Sequence, residues 1–139
     1  MQITPYLNFT GQCREAFEYY RDLLNAEITQ IMTYGESPMA DQMPEETHGG
    51  IMHARLVADG AELMGADGPP AGDGTAHTMW VALILDEPAE AERVFAGLAD
   101  GGETRMPIQE TFWAERFGMC IDRFGTSWIV NGAMKEEGQ

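Results

Sequence analysis

The feature that most constrains this chain is that its order of elements occurs twice. Alternation and periodicity predict a strand over residues 2–9, a helix from about Gln12 to Asn25, a strand at 27–34, and a hairpin at 51–58 and 61–66. Beyond residue 77 the order returns. A strand at 78–85 leads to a helix capped by Asp86 with Pro88 in its first turn, then to a strand at 103–108 and a hairpin over 112–130. The helices declare themselves by apolar stripes at spacings of three and four: Ala16, Phe17, Tyr20, Leu23 and Leu24 in one, Ala91, Val94, Phe95 and Leu98 in the other. The helix starts near Gln12 and Glu87 lie 75 residues apart, whereas the turn glycines Gly60 and Gly125 lie 65 apart. One longer segment in the first copy, residues 35–50, accounts for the difference. A unit of strand, helix, strand and hairpin has one apolar helix face to bury on one sheet, so its duplication predicts an α+β fold.

Both hairpins carry turn chemistry. Asp59-Gly60 is a two-residue turn signal, and Asp122-Arg123-Phe124-Gly125 joins an aspartate that can bond its own backbone to a glycine that tolerates positive φ. The aromatics Phe112, Trp113, Phe117 and Trp128 flank that second turn at near-alternate spacing. Residues 35–50 (GESPMADQMPEETHGG) form a long acidic loop, read either as a lid or partner-binding segment or as a mobile surface loop. Residues 69–77 are a linker, which divides the chain into modules at 1–68 and 78–139. The Gly-rich run DGPPAGDG is not a phosphate or S-adenosylmethionine cradle, because such loops open a helix and this one contains two prolines and leads into a strand.

With 23 acidic residues against 8 basic ones, the net charge of −15 excludes a nucleic-acid partner, whose phosphates must be neutralised by Lys and Arg. The acidity is a solvated surface or a field that attracts a cationic ligand. No apolar run approaches the roughly 20 residues of a membrane helix, and MQITPYLNF lacks the pattern of a signal peptide, so a cytoplasmic protein without membrane partners is expected. Cys13 and Cys120 show no metal or redox spacing and are expected to be buried and reduced.

The stretches TPYLNFTGQCREAFEYY (4–20), MHARL (52–56) and FWAERFGMCIDRFGTSW (112–128), set in the duplicated order, resemble the vicinal oxygen chelate superfamily, the glyoxalase, bleomycin-resistance and extradiol dioxygenase group. Within it the chain looks most like the PhnB-like branch, sometimes labelled demethylubiquinone methyltransferase-like. The resemblance implies two βαβββ modules forming a curved, mostly antiparallel sheet around a cavity, commonly in a homodimer. It also implies a divalent metal held by His, Gln or Glu from both modules. At the matching positions stand Thr4, Pro5 and Tyr6, then Leu63 or Met64, then Trp80, then Ile129 or Asn131, which are poor ligands for such an ion.

Other residues offer chemistry. His53 and Glu62 lie on paired hairpin strands and could meet on one face as acid–base or metal-ligating groups; His77 and Glu115 complete a possible non-standard set. His48, in the long loop, has the weakest claim of the three histidines. Tyr6, Trp80, Trp113, Phe117 and Trp128 are either core or the walls of an aromatic-lined pocket for a small organic ligand, with Glu115, Arg116 and His53 as polar handles. Three functions remain open: a metal-dependent lyase, isomerase or dioxygenase, a metal-free small-molecule binder, and a metal-free catalyst using His53 as general base.

Overall fold

The computed structural model describes residues 2–38, 40–68 and 79–135. The chain divides into two units, Met1–Thr75 and Ala76–Gln139, and the expected linker at 69–77 lies outside the described residues. The first unit runs β1 (Tyr6–Phe9), α1 (Cys13–Leu24), β2 (Glu27–Thr33), β3 (Ile51–Ala58) and β4 (Ala61–Asp67). The second runs β5 (Val81–Leu85), α2 (Pro88–Ala99), β6 (Glu103–Gln109), β7 (Ala114–Ile121) and β8 (Ser127–Met134). Each is a βαβββ module with a four-stranded sheet, ordered β1-β4-β3-β2 in one and β5-β8-β7-β6 in the other. In both, the first strand lies parallel to the last and the remaining pairs are antiparallel. The fold is α+β, with the expected module used twice.

Each helix covers one face of its own sheet. From α1, Cys13, Ala16, Phe17 and Tyr20 are wholly buried; from α2, Ala91, Val94 and Leu98 are, with Phe95 nearly so. The approach is close enough to require glycine. A Cβ on Gly65 would stand 2.8 Å from the Phe17 ring, and one on Gly118 would stand 2.7 Å from the Phe95 ring. Since side chains alternate along a strand, this contact decides which half of each sheet faces the helix and which faces away.

The turns follow the chemistry of their residues. Asp59 and Gly60 both take positive φ, 48° and 80°, the backbone of a tight hairpin turn. Asp122 is buried and uses both carboxylate oxygens. Oδ1 accepts from the amides of Phe124 and Thr126, each at 2.9 Å, and Oδ2 accepts from the Trp128 indole Nε1 at 2.8 Å. In the first unit Asp67 ties separate elements together: it accepts from the amides of Cys13 (3.0 Å) and Ile51 (2.8 Å), and its own carbonyl accepts the Tyr34 hydroxyl.

Several boundaries differ from expectation. Strand β1 begins at Tyr6 rather than residue 2, because Pro5 has no N–H; its carbonyl still accepts from Met64 N at 3.0 Å. Strand β5 begins at Val81 instead of 78, and β8 continues past Val130 to Met134. Asp86 is not the cap of α2. Pro88 occupies the first helical position, which makes Glu87 the capping residue, and Glu87 makes no side-chain cap bond. Among the described residues of the 35–50 loop, Tyr34 N bonds Gly50 O, Gly35 N bonds His48 O, and short 3-10 turns occupy Ala40–Gln42 and Glu45–Thr47.

Removing the Asp122 carboxylate should unlatch the second hairpin. We expect Asp122→Ala to lose about 2–4 kcal/mol, since three donors lose a charged acceptor. Urea unfolding measures this, and a loss below about 1 kcal/mol would contradict the role assigned to Asp122.

Candidate functional sites

In the first unit the strand register gathers Tyr6, Met32, His53, Arg55, Glu62 and Met64 on the face turned away from α1. Tyr6 opposes Met64, Met64 opposes Arg55, and Met32 opposes His53, while Gly65 and Ala54 take the helix side. Tyr6 and His53 meet: the phenol oxygen is 3.3 Å from Nδ1, and the rings stack with centroids 6.0 Å apart. Tyr6 is 53% exposed. Partial burial, reinforced by the Cys13 and Tyr34 groups, raises its pKa, so the phenol keeps its proton at neutral pH. When that proton is donated to Nδ1, His53 carries its own N–H on Nε2 and offers a second polar group to the open face.

Glu62 shares this face with His53 but is engaged elsewhere. Arg55 grips it bidentately, Nε to Oε1 at 2.7 Å and Nη2 to Oε2 at 3.0 Å. The guanidinium hydrogen bonds hold the Glu62 carboxyl below its ordinary pKa, a poor setting for a general base. His48 is also committed. Its Nε2 sits 2.9 Å from Ala40 O and 3.2 Å from Met43 O, and carbonyls only accept, so Nε2–H pins the acidic loop together. His77 lies outside the described residues. Among the described residues, no three of His, Cys, Asp and Glu converge as metal donors. The described residues therefore do not fit the divalent ion that the resemblance implies. Neither thiol is a nucleophile: burial, with Asp67 nearby, pushes Cys13 up to about 12, and burial, with Asp122, pushes Cys120 up to about 11.

The second unit separates residues that the sequence had grouped. Gly118 and Gly132 lie against Phe95 and Ala91 of α2, so their register partners and alternate neighbours share the helix side. Arg116 and Trp128 belong to that side. Arg116 donates from Nε to Glu92 Oε1 on α2 at 2.9 Å, and Trp128, 1% exposed, is core. On the opposite face stand Trp113, Glu115 and Phe117. Trp113 and Phe117 pack edge to face with centroids 5.0 Å apart, and exposed Phe112 packs on Trp113 at 4.7 Å. Trp80 precedes β5 and is half-buried. The expected wall of Trp113, Glu115, Arg116, Phe117 and Trp128 thus splits between two faces, because odd and even positions of a strand point opposite ways. The register adds Ile84, Ile129 and Asn131 to the open face. Of these, Ile129 and Asn131 had been named only as positions matched by resemblance, and counting alternation along the strand would have found Ile84.

The Arg55–Glu62 pair gives the first sheet an acid-sensitive element. Glu62 has a depressed pKa in the folded state, so its contribution is present above the ordinary carboxylate range and is lost as pH falls through the folded value. We expect Arg55→Ala to raise the Glu62 pKa, read by side-chain NMR titration. The stability difference between variant and wild type should shrink on acidification below pH ~4. An unmoved Glu62 titration would contradict the pairing.

The comparisons agree with this geometry. The family model for 3-demethylubiquinone-9 3-methyltransferase matches residues 1–131. Protein PA1353 from Pseudomonas aeruginosa, of known crystal structure, is 43% identical with a TM-score of 0.85, covering 95% of this chain and 97% of its own. Protein YjdN of Escherichia coli (strain K12) is 34% identical over 139 residues, 94% of this chain and 95% of its own length. A putative 3-demethylubiquinone-9 3-methyltransferase, PhnB protein, from Bacillus cereus is 28% identical with a TM-score of 0.80, covering 96% and 100% of the two chains. The fold alone is shared, at 13% identity and a TM-score of 0.65, with a glyoxylase/bleomycin resistance protein/dioxygenase domain from Frankia sp. EAN1pec, over 100% of this chain and 94% of that one. The chain belongs to the 3-demethylubiquinone-9 3-methyltransferase family.

Proposed function

We propose that this is a cytoplasmic, homodimeric protein that binds a small organic ligand on an aromatic sheet face. The observation that carries the reading is the face of the second sheet turned away from α2. There Trp113 and Phe117 form an edge-to-face pair, and Ile84, on the same face, is 65% exposed. Large apolar side chains left on one sheet face in this way mark a binding surface. The exposed Met79 and Phe112 supply apolar surface for a second copy of the chain. The cytoplasmic placement is supported by two buried, unpaired cysteines, and no described helix is long and apolar enough to cross a membrane.

A second reading rests on the Tyr6–His53 contact: a metal-free acid–base site on the first sheet, with His53 as the proton-transferring group and Glu62 holding Arg55 beside it. The metal-dependent reading around His53 and Glu62 has less support, since Glu62 already has a cationic partner.

A thermal-shift screen of small organic molecules tests the first reading. Ligands that raise the Tm of wild type should lose most of their effect on Trp113→Ala and Phe117→Ala, while His53→Ala leaves it intact. Hits that depend on His53 and ignore Trp113 would favour the second reading. In the same assay Ni²⁺, Zn²⁺, Mn²⁺ and Fe²⁺ should shift wild type no more than His53→Ala. Stoichiometric metal abolished by His53→Ala would overturn the metal-free assignment.

A further inference from the structure

Four steps of the described chain place an aspartate or asparagine before glycine, where a main-chain nitrogen can react with the preceding side chain: Asp59-Gly60, Asp67-Gly68, Asp100-Gly101 and Asn131-Gly132. The fold engages three of them. Asp67 is buried, both its carboxylate oxygens accept amides, and the Gly68 amide donates to Phe9 O at 2.9 Å. Asp100 is clasped by Arg123, which donates to its carboxylate Oδ2 and to its carbonyl, each at 3.2 Å. Asn131 and Gly132 are buried in the strand ladder, with Gly132 paired to Leu85 on one side and Arg116 on the other. Asp59-Gly60 is left free. Both residues are exposed at the tip of the first hairpin, and a Cβ on Gly60 would meet nothing within 4 Å. Among the described residues, the Asp59 carboxylate and the Gly60 amide have no hydrogen-bond or ionic partner.

We propose that Asp59 is a site of spontaneous covalent modification, its isomerisation to isoaspartate. The Gly60 amide nitrogen bonds to the side-chain carboxyl carbon of Asp59; the amide proton and the carboxyl hydroxyl leave together as water, and a cyclic succinimide remains. Water then adds to the main-chain carbonyl carbon of Asp59 and breaks its bond to the Gly60 nitrogen. The chain now runs through the former side-chain carbonyl, with a free α-carboxylate and an unchanged mass. No oxidant or other reactant takes part. Glycine permits the close approach, since no side chain stands beside its nitrogen, and an exposed turn tip yields more readily than a strand. The product does not keep the turn. Asp59 and Gly60, at φ 48° and 80°, set Ala58 opposite Ala61 and Val57 opposite Glu62. An extra methylene in the main chain of a two-residue turn breaks that register. Glu62 lies one pair beyond the closing pair, so the bidentate grip of Arg55 on it loosens with the turn.

Long incubation of the folded protein in neutral buffer at physiological temperature tests this, followed by peptide mapping with electron-transfer fragmentation, which tells isoaspartate from aspartate at equal mass. Isoaspartate should accumulate at Asp59 several-fold ahead of Asp67, Asp100 and Asn131. In protein held unfolded in urea, Asp67 and Asp100 should rise to the Asp59 rate. Asn131 should there overtake all three, because its side-chain amide leaves more readily than a carboxyl hydroxyl and the fold no longer shields it. Asp59→Asn should convert faster than wild type through the same ring, releasing ammonia in place of water, and Asp59→Ser should not convert at this turn. In the isomerised fraction, separated by chromatography, the Glu62 carboxyl should titrate higher than in the unmodified protein, as expected for Arg55→Ala. Asp59 intact in the folded protein but converted in urea would overturn the proposal, because the turn would then forbid the ring. Equal conversion of Asp59 and Asp100 in the folded protein would overturn the selectivity assigned to the free turn. An unmoved Glu62 titration in the isomerised fraction would overturn the link to the Arg55 pair.

Discussion

The arrangement depends on one close contact made in each module, a phenylalanine ring of the helix pressed on a glycine of the sheet. Phe17 lies on Gly65 and Phe95 on Gly118, at separations that no Cβ would permit. The contact brings the helix down on one face and fixes the sidedness of every residue on the paired strands. Slipping a strand by one position would bury Tyr6, Arg55 and Glu62 against α1 and turn Leu56 and Leu63 outward, exchanging satisfied apolar burial for unpaired charge. The open faces follow from the same contact, since each module has a single described helix to cover its sheet.

The two modules have kept this frame and diverged in what they present on it. Phe17 sits over the Ala54–Gly65 pair and Phe95 over the Gly118–Val130 pair, which marks equivalent points in the two registers. By that equivalence His53 corresponds to Phe117, Tyr6 to Ala82, Asn8 to Ile84, and Ala66 to Asn131. The face turned from the helix in the first module is polar, with a phenol, an imidazole and an ion pair; that of the second is largely aromatic and aliphatic, with Glu115 and Asn131 among its polar groups. The polar groups of the first are largely engaged with each other: Tyr6 with His53, Arg55 with Glu62.

Much of this was legible in the residues. The duplicated order, both turns and both helix stripes came from local chemistry, and local chemistry governs them in the fold: Asp122 bonds its own turn, and Asp59-Gly60 takes the expected positive φ. The site was legible only in part. Tyr6, His53, Trp113, Glu115 and Phe117 do reach open faces, yet Arg116 and Trp128 face the helix, because composition shows which residues can line a pocket but not which side of a strand they take. The pairing of Glu62 with Arg55 was hidden because it joins neighbouring strands by register. Asn131 was named in the sequence only as a position matched by resemblance, and there it is a poor metal ligand.

The most direct test is a map, by backbone and side-chain NMR shifts, of where a mixture of small aromatic fragments touches the protein. Perturbations should gather on Trp113, Phe117, Ile129 and Asn131 and spare Arg116 and the Trp128 indole, which lie across the same strands. Shifts spread equally over both sets, or confined to the helix side, would contradict the assignment of the open face as the binding surface.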